Sequence, residues 1–66
     1  MQVYCLYYVN AGVEHELGFY VADRCDLHIE EDKAAAENFL RNTIGEEAVQ
    51  KWNYFGPKVR TESQAA

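Results

Sequence analysis

Two segments near the start of the chain, residues 3–9 and 17–21, alternate in a way that predicts two β-strands. Both are rich in aromatic and β-branched residues, which strands favour. The stretch between them contains Asn10 and Gly12, residue types that suit a hairpin turn. The apolar odd-numbered positions predict the face that packs on the rest of the protein: Val3, Cys5, Tyr7 and Val9 in the first strand, and Leu17, Phe19 and Val21 in the second.

Keeping these two odd-numbered faces together constrains the register of the hairpin. Opposed residues on an antiparallel pair share a face, so their numbers must sum to an even value, which favours a loop of three or five residues. We expect Gly12 to supply the left-handed residue of that loop. The expected pairs are Val3 with Val21, Cys5 with Phe19 and Tyr7 with Leu17.

After Asp23 the pattern changes to acids and alanines, with apolar residues at steps of three and four, which predicts helices. Carboxylates at Glu30, Glu31 and Asp32 suit the first turn of the first helix, where they favour the positive end of the helix dipole. The segment Thr43-Ile44-Gly45-Glu46 predicts a capping box that starts a second helix, and Gly56-Pro57 predicts its end. The predicted buried positions are Ala36, Phe39, Leu40, Thr43 and Ile44 in the first helix, and Ala48, Val49, Trp52 and Phe55 in the second.

The order of these elements predicts an α+β fold, because strands and helices are segregated along the chain. We expect an N-terminal antiparallel hairpin with both helices packed across its odd-numbered face. Residues 58–61 predict a short third strand beside the hairpin. The predicted organisation is one compact domain over residues 1–62 and a frayed tail over residues 63–66.

Length and composition favour a folded binding protein over an enzyme. The chain has 66 residues, of which 48% are apolar and 14% aromatic, so it is predicted to fold. A core this thin leaves little room for a cleft that buries a substrate. We therefore expect no catalytic residues and no cofactor. The opening segment has no basic leader and its apolar stretch ends at Asn10, so the expected location is cytoplasmic, in the bacterial host if a phage encodes the protein.

The cysteines and histidines offer one alternative to that interpretation. Cys25 and His28 have the spacing of a zinc-ligand pair, and Cys5 with His15 would complete a tetrahedral set. Structural zinc sites usually carry two closely spaced pairs, and here there is one. We predict two free thiols and no metal, and the zinc module stays open as an alternative.

The net charge of −5 is unevenly distributed along the chain. Residues 1–50 hold ten acids and three bases, a net charge of −7, whereas residues 51–66 hold three bases and one acid, a net charge of +2. A negative chain repels phosphate backbones, so direct nucleic-acid binding is disfavoured, and no segment predicts a membrane contact. Most of the acids follow the hairpin: Asp23, Asp26, Glu30, Glu31, Asp32, Glu37, Glu46 and Glu47.

Two interpretations of these acids remain open. Carboxylates on neighbouring helical positions have Cβ atoms about 5 to 6 Å apart, a spacing comparable to that of phosphates along a nucleic-acid strand. A row of such carboxylates can therefore occupy a basic groove in place of DNA. Alternatively they serve ordinary helix roles, with Glu30 to Asp32 at the dipole, Glu37 paired with Arg41, and Glu46 in the capping box.

The even-numbered face of the hairpin provides a second candidate surface. If the helices cover the odd-numbered face, this face meets solvent, although a solvated antiparallel face is normally polar. Tyrosine is enriched in protein interfaces, so this face predicts contact with a protein partner or a second copy. The residues are Tyr4, Leu6, Tyr8 and Tyr20.

A short acidic domain with two helices on a small sheet, and with acids massed in Glu30-Glu31-Asp32 and Glu46-Glu47, resembles the phage-encoded anti-CRISPR proteins that act as DNA mimics. The resemblance is carried by size, architecture and charge, since these proteins share no motif. It implies a stoichiometric inhibitor whose acidic face occupies the Lys/Arg-lined DNA channel of a CRISPR effector and blocks target-DNA binding. The basic residues Lys51, Lys58 and Arg60 would then face away from the effector. The alternative function is a small interaction or dimerisation module that docks through the tyrosine-rich face.

Overall fold

In the computed structural model, which describes residues 1–62, the chain forms a three-stranded antiparallel sheet and two helices. The elements are β1 (Gln2–Asn10), β2 (Val13–Ala22), α1 (Glu30–Thr43), α2 (Glu46–Phe55) and β3 (Lys58–Thr61). The strand order is β2-β1-β3, so β1 is central. The predicted α+β class, hairpin, helix pair and third strand are confirmed, whereas the predicted tail at residues 63–66 lies outside the described residues.

The hairpin turn is shorter than expected. Asn10 pairs with Val13 across a two-residue turn in which Ala11 has φ 53° and Gly12 has φ 78°. Positive φ at both central positions is the geometry whose twist matches that of the flanking strands. The left-handed role predicted for Gly12 is confirmed, but the predicted loop of three or five residues is wrong.

A β-bulge in β2 reconciles the short turn with the expected register beyond it. Leu6 pairs with Gly18 and Tyr7 pairs with Glu16, so Leu17 is the extra residue. With a two-residue turn, the numbers of paired residues sum to an odd value. The extra residue of the bulge raises that sum by one, so the pairs beyond it have the even sum expected from the sequence. The predicted pairs Cys5 with Phe19 and Val3 with Val21 are therefore confirmed, and the predicted pair of Tyr7 with Leu17 is wrong.

The helices cover the even-numbered face of β1, which corrects the face predicted from the sequence. Leu6 is fully buried in a cluster with Leu40 and Trp52, whereas Phe19 and Val21 are 55% and 54% exposed. The end of α1 contacts this face at Gly18, where an added Cβ would lie at the ordinary van der Waals distance of 3.5 Å from Phe39 Cε2 and from Ile44 Cδ1. We call the covered side, with Tyr4, Leu6, Tyr8, Tyr20 and Val59, the inner face; the outer face carries Val3, Cys5, Tyr7, Phe19, Val21 and Arg60.

The two helices bury most of the positions that their periodicity predicts. Ala36 and Leu40 of α1 are buried, and so are Ala48, Val49 and Trp52 of α2. The ends depart from the prediction: Thr43 is exposed, Ile44 is 50% exposed and Phe55 is 36% exposed. None of the helices in residues 1–62 is long and apolar enough to cross a membrane.

The start of α2 differs from the predicted capping box. Thr43 is the last residue of α1, and Gly45 takes the N-cap position with no side-chain hydrogen bond. The Glu46 carboxylate accepts a hydrogen bond from Arg41 instead of closing a box. The predicted end is confirmed, since α2 stops at Phe55 and Gly56 follows with φ 107°.

Candidate protein-binding surfaces

The eight acids of the predicted DNA-mimicking surface fall into two groups at opposite ends of α1. Fourteen residues of helix separate the two ends by about 20 Å. Glu37 lies between the groups. The first group surrounds the N-terminus of α1 and contains Asp23, Asp26, Glu30, Glu31 and Asp32; the second lies at the start of α2 and contains Glu46 and Glu47.

Asp32 and Asp26 hold the loop between β2 and α1 in place. The guanidinium of Arg24 donates two hydrogen bonds to Asp32, from Nε at 2.7 Å and from Nη2 at 3.1 Å, and the Asp26 backbone N–H donates a third at 3.0 Å. These bonds, chiefly those from Arg24, lower the pKa of Asp32. Asp26 Oδ1 in turn accepts the backbone N–H of His28 at 2.9 Å. Both carboxylates are therefore occupied by their own loop.

Two further acids bind within the helical layer. Glu46 accepts from Arg41 Nε at 2.6 Å, and this hydrogen bond lowers the pKa of Glu46. Glu37 accepts from Asn53 Nδ2 at 2.9 Å and so joins α1 to α2. The expected pairing of Glu37 with Arg41 is wrong, because Arg41 reaches across the helix junction to Glu46.

The other four acids are exposed and have no cationic side chain within 4 Å in residues 1–62: Asp23, Glu30, Glu31 and Glu47. The Arg24–Asp32 pair brings the end of β2 to the start of α1, so that Asp23 lies at the same end of the molecule as Glu30 and Glu31. We call these three residues the acidic end. Their carboxylates are the ones that a basic partner can reach without breaking an internal ion pair.

The residues of the predicted aromatic surface are not an exposed face. Leu6 is fully buried and Tyr8 is 7% exposed, stacked between the rings of His15 and Phe55 with centroids 4.9 Å away on each side. Tyr4 and Tyr20 pack against the core, and burial raises the pKa of Tyr20. The predicted exposure of these four side chains is wrong, because the helices cover them. A docking module that used this face would have to remove its own helical layer.

The outer face carries a charged cluster that the sequence reasoning missed. Arg60 lies over the ring of Tyr7, 4.9 Å from its centroid, and donates hydrogen bonds to Glu14, to Glu16 at 2.6 Å and to Glu62 at 2.7 Å. The bonds to Glu62 and Glu14 raise the pKa of Arg60 above its ordinary value. Glu16 and Glu14 lie 44 and 46 residues before Arg60 in the chain. The sequence therefore indicates this cluster only if β3 is first placed beside β1.

Across β1 from Arg60 and Glu62, on the side of β2, the outer face is apolar. Phe19 and Val21 are about half exposed, Val3 is partly buried, and Met1 is 86% exposed. The pairing of Val3 with Val21 places these two side chains on neighbouring strands of one face. The outer face is thus divided into a polar half, where Glu62 lies beside Val3 and Arg60 beside Cys5, and an apolar half formed by Val3, Phe19 and Val21.

The two sides of the molecule differ in charge. On the outer face, three glutamates oppose Lys58 and Arg60, a net charge of −1. The remaining eight acids and four bases lie on the loops and helices, a net charge of −4. Most of the chain's negative charge is therefore carried by the loops and helices and not by the outer face.

The alternative zinc set of Cys5, His15, Cys25 and His28 does not converge. Cys5 is buried on the outer face and Cys25 belongs to the core cluster on the inner side, and both are free thiols. Within residues 1–62, no group of three or more His, Cys, Asp or Glu side chains is placed to hold a metal ion.

An open groove of about 440 Å³ beside β3 brings Cys25 together with polar side chains. Cys25, Asp26, His28 and Lys58 contribute to its lining. Burial, reinforced by Asp32 and Asp26, raises the pKa of the Cys25 thiol. A thiol of this kind stays protonated near neutral pH and is a poor nucleophile, so Cys25 is not activated for covalent chemistry.

Comparisons of the chain with protein-family models, curated proteins and solved structures found no match.

Proposed function

We propose that the chain is a non-enzymatic, stoichiometric inhibitor of a bacterial nucleic-acid-handling defence complex, of the anti-CRISPR type. Its acidic surface takes the place of DNA phosphates in a basic groove of the effector and blocks binding of the target DNA. The observation that carries this proposal is the acidic end: Asp23, Glu30 and Glu31 are exposed and unpaired within residues 1–62, while neighbouring Asp32 is neutralised by Arg24.

Hydrogen bonds within the loop between β2 and α1 support the proposal, because they fix the backbone that carries the acidic end. Asp32 and Asp26 fix residues 24–28 against the first turn of α1, so the unpaired carboxylates are held on ordered backbone. A preorganised charged surface loses less conformational entropy on binding than a flexible one. Concentrated negative charge also steers the protein toward a positive channel and speeds association at low salt.

The structure narrows the acidic surface predicted from the sequence. Asp26, Asp32, Glu37 and Glu46 already serve internal contacts, so a partner that binds them competes with the fold. Glu47 lies at the far end of α1 and extends the contact only if the groove of the effector spans about 20 Å or more.

A DNA-binding competition with purified CRISPR effectors tests the proposal. Effectors of both the single-protein and the multi-subunit kind are mixed with the chain at equal concentration, and binding of a fluorescent target duplex is measured by anisotropy. We expect one effector to lose target binding, and Glu30→Gln combined with Glu31→Gln to weaken that inhibition by about tenfold or more.

The matched control replaces Asn42 and Gln50, both exposed, with lysine. This control makes the same change of two units in net charge away from the acidic end. Equal weakening by the two double variants would show that net charge alone is responsible, and the acidic end would then have no special role. If no effector in the panel loses DNA binding, the proposed function is wrong.

A further inference from the structure

The outer edge of β2 is a row of open backbone groups. The strand order β2-β1-β3 places β2 at one edge of the sheet, and no strand within residues 1–62 pairs with its far side. An open edge is a template for another strand, and many proteins recognise an extended peptide in this way. We propose that residues 18–22 of β2 bind an extended basic segment of a partner protein as an added antiparallel strand. This site does not depend on the proposed inhibitory function.

The hydrogen-bond pattern identifies the backbone groups that point to this edge. The backbone N–H of Glu62 donates to the Val3 carbonyl at 2.7 Å, so Val3 bonds toward β3. Residues of a strand in an antiparallel ladder bond alternately to its two neighbours, so the even-numbered residues at this end of β1 bond toward β2. Tyr20 pairs with one of them and bonds back to β1, which leaves the N–H and C=O groups of Phe19 and Val21 directed outward.

Other parts of the two sheet edges carry features that block strand addition. The first half of β2 contains Glu14, Glu16 and the bulge at Leu17, and β3 has only four residues and follows Pro57. Charges, bulges, prolines and short strands are the devices by which proteins protect their edges. Residues 18–22, Gly-Phe-Tyr-Val-Ala, contain no charge and no proline. Strand addition is therefore favoured at this segment.

Side chains along the segment and the charge beside it define the partner. Phe19 and Val21 are 55% and 54% exposed on the outer face, and opposed residues of an antiparallel pair share a face, so the added strand covers them with apolar residues at alternate positions. The segment ends next to Asp23, which is exposed, has no ion pair in the described part of the chain, and lies with Glu30 and Glu31. A second copy of a chain with net charge −5 would add like charge there, whereas Lys or Arg flanking the added strand brings unlike charge.

The synthetic peptide acetyl-Lys-Val-Thr-Val-Thr-Val-Lys-amide tests the site in an NMR titration of the isotope-labelled chain. We expect a dissociation constant below about 1 mM. At about 2 mM peptide, hydrogen exchange of the Phe19 and Val21 amides should slow by about threefold or more, because the added strand accepts their N–H groups. Exchange of the Tyr20 amide, which already bonds to β1, should change less.

Modified peptides provide the matched controls. The Val residues that cover the outer face direct their N–H groups to β2, and the Thr residues direct theirs away. Methylation of the Val nitrogens should therefore raise the dissociation constant by about tenfold or more, and methylation of the Thr nitrogens should leave it within about threefold. Replacement of both lysines by glutamate should raise it by about tenfold or more, because the acids of the chain repel the added charge.

A pair of variants tests the same contact from the side of the chain. Val21→Pro removes one outward N–H, which an edge strand tolerates, and should weaken peptide binding by about tenfold or more. Val21→Thr keeps that N–H and the branched side chain and should change binding by less than about threefold. Fluorescence of fully buried Trp52 reports that each variant is folded, and the modified peptides need no variant. No binding of the unmodified peptide at about 2 mM, or equal weakening by the two N-methylated peptides, overturns the proposal.

Discussion

Asp32 is the residue at which charge and local structure are most closely coupled. Its carboxylate accepts two hydrogen bonds from Arg24 and one from the Asp26 backbone, and these bonds stabilise the ionised form. The pKa of Asp32 is lowered from 3.8 in the folded state. A lowered folded-state pKa means that its contribution to stability is present above pH 3.8 and is lost as pH falls through the folded-state pKa.

Asp32→Asn removes the ionised form that these bonds stabilise, so it should lower the urea midpoint at neutral pH. Below pH 3.8 the wild-type protein loses this contribution too, so the difference in midpoint between the two proteins should become smaller. Urea titrations followed by circular dichroism at about pH 7 and about pH 3 measure both effects. Glu30→Gln removes a carboxylate that has no ion pair in residues 1–62 and is the matched control. The role assigned to Asp32 is wrong if the two variants have the same midpoint at both pH values.

Among the elements, the β1–β2 hairpin contains a correctable local strain. Ala11 has φ 53°, a left-handed conformation that costs a residue with a Cβ about 1 to 2 kcal/mol. Asn tolerates that conformation, and Asn followed by Gly is the preferred pair in two-residue hairpin turns. Ala11→Asn should raise the free energy of unfolding by about 0.5 to 1 kcal/mol, as measured by urea denaturation.

The neighbouring position supplies the control for this prediction. Gly12 has φ 78° and open space around it, so Gly12→Ala introduces backbone strain without a steric clash. It should lower the free energy of unfolding by about 1 kcal/mol. Stabilisation by Gly12→Ala, or destabilisation by Ala11→Asn, would contradict the turn geometry.

The elements could be predicted from the sequence because each depends on local patterns. Strand alternation, the helical period and the Gly56-Pro57 stop act over a few residues. They place β1, both helices and β3 close to their observed bounds, whereas β2 begins at Val13, four residues before the predicted strand. Two local signals were overridden. Thr43 continues α1 instead of capping α2, and the hairpin combines a two-residue turn with a bulge at Leu17.

The choice of sheet face could not be predicted from β1 alone. Both faces of this strand are apolar, with Cys5 and Tyr7 on one side and Leu6 and Tyr8 on the other. Other elements distinguish the two faces: α1 contacts the inner face at Gly18, and Arg60 pairs with Glu14 and Glu16 on the outer face. These contacts link residues far apart in the chain, so periodicity does not reveal them.

At the scale of the whole molecule, the same long-range contacts decide which acids are free. The sequence locates all eleven acids, but it does not show that Asp32 meets Arg24, that Glu37 meets Asn53 or that Glu14 meets Arg60. The candidate surface therefore contracts from eight predicted acids to the acidic end and Glu47. The apolar half of the outer face becomes visible only after the helices are placed on the opposite side.

The position of the free acids at one end of the molecule predicts how binding to the effector responds to salt. Binding of the acidic end to a basic groove is an attraction between unlike charges, which salt screens, so raising NaCl from about 0.05 M to about 0.5 M should weaken it. Because DNA binding by the effector also weakens with salt, the measurement is the anisotropy of the fluorescently labelled chain mixed with the effector alone. The variant that combines Glu30→Gln with Glu31→Gln should show a smaller salt dependence than the wild-type chain. Equal salt dependence of the two chains would mean that the acidic end does not make the contact.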